Sequence, residues 1–226
     1  MKFTGLATGI GSLPHTDPAA AVNLICSNFP EIPFWPQLPR LSQREGMVAQ
    51  FAEHLPCIRV TEEGVAFDER DADRELETFY ERIISQDVDY FRISRESAAG
   101  LYAFHEQLSD TNLKHVSCIK CQITGPFTFA GSINDAQGNP LVFNEIFMQV
   151  IVKALIMKAL WQIRLLKQFG KPVLVFLDEP YLGSFGSAYT PLDRQDVVRV
   201  LTECTQPLKE PDVFVGVHCC GKNGTK

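Results

Sequence analysis

Five short apolar runs, rich in β-branched residues and bounded by Gly or Pro, punctuate the chain at 6–10, 33–37, 115–123, 173–177 and 213–217. Between them the apolar spacing changes to three and four, the period of a helix. Asp17 before Pro18 reads as the cap of a first helix, with the run 19–25 inside it. The longest helical pattern covers 142–169. There Phe143, Ile146, Phe147, Val150, Ile151, Ala154, Leu155 and Trp161 predict one broad buried face. Gly170 stops that helix and Pro172 opens the next strand. Further helices are expected over 71–86, 97–108 and 193–204, the first two with solvated charged faces. The stretch 57–67 alternates about Glu63-Gly64 and predicts a small hairpin insertion. No repeat, low-complexity tract or linker divides the chain, so residues 1–226 are expected to form one domain.

Strand alternating with helix implies a parallel sheet flanked by helices, and the pattern leaves two architectures open. One is an open doubly wound sheet. The other is a (β/α)8 TIM barrel, which at this strand spacing would be truncated after about five strands.

Charge and composition exclude other classes. The 21 Lys and Arg face 27 Asp and Glu, a formal net charge of -6, without a basic run to meet nucleic-acid phosphates. With 45% hydrophobic and 21% charged residues, the sequence can build a core. No run of about 20 uninterrupted apolar residues is present, and residues 1–14 lack the charged start and apolar middle of a signal peptide. A cytoplasmic protein without a membrane partner is therefore expected. The seven cysteines, an odd count, then read as free thiols or metal ligands rather than a disulfide framework.

Parallel-sheet enzymes carry their reactive groups just past the carboxyl ends of strands. The last expected strand runs into His218-Cys219-Cys220. Alternation puts His218 and Cys220 on one face, as a two-ligand arm suited to zinc. A thiol pair beside a hydrogen-bonded histidine explains the same residues. Cys118 and Cys121 have the spacing of a zinc knuckle. An offset of three inside a strand sends their sulfurs to opposite faces, so they read as core, and Cys26, Cys57 and Cys204 as packing residues. At 178–180, Asp178-Glu179-Pro180 ends an apolar strand with two acids, only one of which can face the cavity. Thr8-Gly-Ile-Gly-Ser-Leu-Pro14 lacks the third glycine of a dinucleotide loop; its amides and the Ser12 hydroxyl suit a carboxylate or phosphate, or simply make a turn.

Taken in order, TGIGSLPH, QITGPFTF, FLDEP and HCCG resemble the cobalamin-independent methionine synthase family, in its short single-barrel form, within one superfamily with uroporphyrinogen decarboxylase. The resemblance covers nearly the whole chain, and it favours the barrel over the open sheet. It implies zinc-dependent methyl transfer to a small-molecule thiol such as homocysteine, from a folate or a methyl-corrinoid donor. By matching position, His218 and Cys220 would be zinc ligands, Ser12 would contact the amino-acid carboxylate and Asp178 would hold the amino group. Three departures stand out. The Glu and further Cys that complete the family's zinc site are not among the 226 residues; in the 40–48 stretch Leu41 takes the place of a substrate-binding Glu; and the amino-terminal barrel of the long enzymes is absent. A uroporphyrinogen decarboxylase-like enzyme would need arginines at the cavity mouth and would leave His218 and Cys220 unexplained. A non-catalytic barrel remnant with open sheet edges, able to pair with a second copy as a homo-oligomer, is the third reading.

Overall fold

A computed structural model describes residues 4–62, 64–187 and 190–220. In chain order the elements are helix α1 (Pro18–Asn28), strands β1 (Ile58–Thr61) and β2 (Gly64–Phe67), helices α2 (Ala72–Ile84) and α3 (Ala99–Ser109), strand β3 (Ile119–Thr124), helices α4 (Pro126–Gly131) and α5 (Glu145–Lys167), strand β4 (Val173–Asp178), helix α6 (Arg194–Thr205) and strand β5 (Val213–His218). Short 3-10 turns fill several connections.

Local chemistry sets the helix ends. The Asp17 carboxylate accepts from the amides of Ala19 and Ala20, with Pro18 opening α1. Asn144 and Asp193 cap α5 and α6 in the same way. Gly170, at φ 65°, supplies the left-handed residue past the end of α5. The expected hairpin is present: β1 and β2 pair antiparallel from Ile58 opposite Phe67 to Thr61 opposite Gly64, while Glu63 lies outside the described residues. It docks through Phe67, edge-on to Phe147 of α5, and through Glu75 of α2, which accepts from the Cys57 amide and pairs with Arg59.

The truncated (β/α)8 barrel is not what forms. The described residues make an open three-stranded parallel sheet in the order β3-β4-β5, beside the two-stranded hairpin. The two runs nearest the amino terminus do not become strands. Among the described residues, run 33–37 forms a single β-bridge to the sheet, Phe34 with Lys120, and the segment just past run 6–10 forms a single bridge to run 33–37, Ser12 with Gln37. The physical reason lies in Pro33 and Pro36, which have no N–H to give a ladder. A side chain takes over from the backbone just past the bridge: Gln122 Nε2 donates to the Trp35 carbonyl at 2.9 Å. Gly5, Gly9 and Gly11 weaken the first run further. The third strand also begins later than its apolar run, at Ile119, because residues 113–115 form a 3-10 turn.

Strand β4 pairs in parallel with both neighbours, in register from Ile119, Val173 and Val213 to Thr124, Asp178 and His218. One face presents Ile119, Cys121, Ile123, Val173, Val175 and Leu177, all buried in the core on which α5 packs. Helix α5 is long and apolar enough to cross a bilayer by length and composition, yet 72% of its most apolar window is buried, the position of a core helix. Its predicted face is buried from Phe147 onward. Phe143 and Ile146 depart from the prediction: they sit half or more exposed at the helix entrance.

Lys158 is enclosed completely within this core, its Nζ within 3.5 Å of the Phe91 carbonyl. Burial pushes its ammonium down to about 7, with Glu53 pulling the other way. A lysine whose folded pKa lies below its unfolded value binds fewer protons folded than unfolded between the two, so stability rises with pH across that window. Urea denaturation at about pH 6.5 and about pH 9.5 is expected to show this gain, and Lys158→Met to remove roughly 3 kcal/mol of it.

Candidate functional site

The other face of the sheet carries the chemistry. Alternation and register set Lys120, Gln122 and Thr124 beside Leu174, Phe176 and Asp178, and these beside Phe214, Gly216 and His218. Gly216 is required there, since a Cβ would meet the Phe176 ring at 2.7 Å. At the carboxyl ends of the strands this face opens into a cavity of about 290 Å³, lined by Ile10, Ser12, Gln37, Pro39, Glu45, Met47, Asp178, Pro180, His218 and Cys220. The four site residues expected from sequence, Ser12, Asp178, His218 and Cys220, therefore line one cavity, although they come from three separate parts of the chain.

The two acids at the end of β4, Asp178 within it and Glu179 just past it, separate as alternation requires. Glu179 turns away from the cavity and accepts from the amides of Phe127 and Thr128, at 3.0 and 2.8 Å, and from the Thr128 hydroxyl at 2.6 Å. It closes the start of α4, and a Cβ at Gly125 would overlap its carboxyl group. Asp178 lines the cavity, is 3% exposed, and has an Oδ1 atom with no hydrogen-bond partner. Burial raises its carboxyl to about 6, opposed by the charge of Lys120. An acceptor left unsatisfied in a buried wall is costly unless a ligand donor meets it.

His218 is half-buried and Cys220 exposed, and both reach the cavity, as their shared face predicts. An imidazole and a thiol fit two positions of a tetrahedral zinc site. Among the described residues, no group of three or more His, Cys, Asp or Glu is placed to hold a metal ion. Further donors would have to come from a bound ligand or from outside those residues. Cys118 and Cys121 are buried with thiols pushed up to about 12, which agrees with the core reading. Cys57 and Cys204 are buried and Cys26 half-buried, as packing residues.

Three contributors escape the sequence motifs. Glu45 lines the cavity although the 40–48 stretch predicts leucine in an acid's place. Its carboxylate accepts from the amides of Leu38 and Ala99 and from Gln50 Nε2, at 3.0, 2.6 and 3.2 Å. With its oxygens so engaged, Glu45 serves as a braced wall. Gln37 is the second: its Nε2 donates to Gln50 Oε1 at 2.8 Å, joining the same network. Lys120 is the third, and lies beneath the cavity. The available signal for it was a lysine in the midst of the apolar run His115–Ile123.

The Ser12 turn is fixed by backbone bonds, from Leu13 N to Gln37 O at 2.9 Å and from Gln37 N to Gly11 O at 3.0 Å. A Cβ on Gly11 would stand 2.7 Å from Gln37 Oε1 and 2.8 Å from Gln122 Nε2. Gly11→Ala is thus expected to displace the turn at a cost of about 1–3 kcal/mol in stability. Thermal denaturation checks the cost, and an unchanged melting temperature would show that the turn has room to give.

No family model, no curated protein and no solved structure matches this chain.

Proposed function

We propose that the cavity binds a small amino-acid thiol and that the protein is a zinc-dependent methyltransferase acting on it. The observation that carries this reading is the convergence on one cavity of an imidazole, a thiol and a buried, unpartnered carboxylate oxygen. The resemblance of the four motifs to cobalamin-independent methionine synthases supports the choice of reaction. His218 and Cys220 would hold the zinc. When bound, that ion would supply Lewis acidity that keeps a substrate thiol, with an ordinary pKa near 8.5, as thiolate at neutral pH.

The remaining roles belong to the chain itself. The Asp178 carboxylate accepts the substrate ammonium, which satisfies its bare oxygen in a wall where water is scarce. The Ser12 hydroxyl, exposed at the mouth, meets the substrate carboxylate. Ile10, Pro39, Met47 and Pro180 give the apolar sides against which a short methylene chain packs. Holding both ends of the substrate orients its sulfur toward the His218 and Cys220 side, so that attack on a methyl group begins from a fixed geometry. The donor, a folate or a methyl-corrinoid, would approach from the open side of the cavity.

Zinc binding and methyl transfer to homocysteine test the reading together. About one equivalent of zinc is expected, with Co2+ substitution giving thiolate-to-metal absorption. His218→Ala and Cys220→Ala should each weaken metal binding by more than the roughly 10–100-fold that loss of an outer partner costs. A protein that binds no zinc, or variants that retain full methyl transfer, would overturn the assignment.

A further inference from the structure

Gln37 lines the cavity but takes no part in the roles proposed above, and its amide is oriented by partners that lead away from the site. They begin at Gln50, which is completely buried. Gln50 Nε2 lies 2.7 Å from the Ser97 carbonyl and 3.2 Å from Glu45 Oε2. A backbone carbonyl can only accept, so the nitrogen end of the Gln50 amide must face it. The oxygen end of Gln50 then meets Gln37 at 2.8 Å, where the Gln37 NH2 group is the donor that satisfies it.

The far end of the Gln37 amide is therefore an acceptor. Among the described residues the Gln37 side chain bonds through Nε2, and no donor reaches its Oε1. That oxygen is turned to the Ser12 turn: a Cβ on Gly11 would stand 2.7 Å from it. Backbone bonds from Leu13 to Gln37 and from Gln37 to Gly11 hold the two segments together. Turning the Gln37 amide over would set its oxygen against that of Gln50. Turning both over would set the Gln50 oxygen against the Ser97 carbonyl. Either change leaves buried acceptors face to face, so the polarity is fixed by the fold. Asp178 Oδ1 is a second oxygen of the same cavity without a partner. Walls with unfilled acceptors suit a ligand that brings donors, and an ammonium group brings three.

We propose that Gln37 is a substrate-binding residue whose Oε1 accepts a hydrogen bond from the amino group of the substrate, and that Gln50 is a positioning residue that sets the polarity of the Gln37 amide. The proposal rests on the amino-acid thiol reading and deepens it: a neutral amide oxygen beside the Ser12 turn selects thiols that carry an amine.

Homocysteine and 4-mercaptobutanoate differ only in the α-amino group, and the ratio of their affinities isolates its recognition. Calorimetry gives that ratio for the wild-type protein, for Gln37→Met and for Gln50→Met. The wild type is expected to favour homocysteine about a hundredfold, two charge-assisted hydrogen bonds at about tenfold each. Gln37→Met keeps the length of the side chain without its acceptor and should lower the ratio about tenfold, with 4-mercaptobutanoate bound as before. Gln50→Met should lower the ratio as well, because it frees the Gln37 amide to turn; loss of packing alone would weaken both ligands together. A wild-type ratio near one, or a ratio unchanged in folded Gln37→Met, would overturn the proposal, and a ratio unchanged in folded Gln50→Met would overturn the positioning role. Should a variant not fold, the wild-type protein decides: the Gln37 13Cδ resonance is expected to move with homocysteine and to stay with 4-mercaptobutanoate, and a resonance that responds to both alike or to neither overturns the proposal. Failure of the wild type to bind either thiol would overturn the amino-acid thiol reading itself and the proposal with it, an outcome distinct from homocysteine binding that is indifferent to Gln37.

Discussion

The two-residue alternation of side chains across three parallel strands gives the sheet one face that packs the core and one that opens into a cavity. In-register pairing of Thr124, Asp178 and His218 at the carboxyl ends aligns their side chains in one row. A slip of one residue in β4 would exchange Asp178 for Glu179 and turn Leu177 out of the core. The buried row Val173, Val175 and Leu177 opposes such a slip, because it would cost the transfer of three aliphatic side chains from the core, about 1.5–3 kcal/mol each. Apolar packing against α5 thus sets the placement of polar groups on the opposite side.

Polar groups behind the reactive face are held by their own networks. Trp35 Nε1 donates to Gln162, Gln162 donates to Gln122, and Gln122 returns to the Trp35 carbonyl. That closed circuit ties run 33–37, β3 and α5 together where prolines deny a strand ladder. Glu45, Gln50, Gln37 and Ser97 form a second circuit that links the cavity wall to the start of α3. Buried networks of this sort are strong only when every member is satisfied. Asp178 belongs to neither circuit, and its Oδ1, which lines the same cavity as Glu45 and Gln37, has no hydrogen-bond partner.

Much of this arrangement is legible in the sequence, and the parts that are not have identifiable causes. The caps at Asp17 and the stop at Gly170 are local chemistry, and so is the hairpin. The paired fates of Asp178 and Glu179, and of His218 and Cys220, follow from period two alone. Run 33–37 misleads because aromatic and apolar content signals a strand, while its prolines restrict pairing to one bridge. Run 6–10 misleads for a related reason: without a ladder on run 33–37, it has no edge on which to become a strand. The barrel expectation compounds both errors, since it counts two extended connections as strands. Glu45 is hidden because its arrival depends on a 3-10 turn at 43–45, whose position no periodicity announces.

Charge placement gives the last step. Of the ionisable side chains turned toward the core, Glu45 and Glu179 have backbone amides as partners, and amides cannot lose a proton in response to a ligand. Their role is fixed by the fold. Asp178 has no such partner, and the charge that acts on it belongs to Lys120, itself held by a carbonyl and an amide oxygen. Asp178 thus lines the cavity with an oxygen that lacks a hydrogen-bond partner. A hydrophobic pair at positions 120 and 178 would pack this interior with less desolvation cost. Under the proposed reading, a substrate ammonium would meet the Asp178 oxygen that no hydrogen-bond donor of the described residues satisfies.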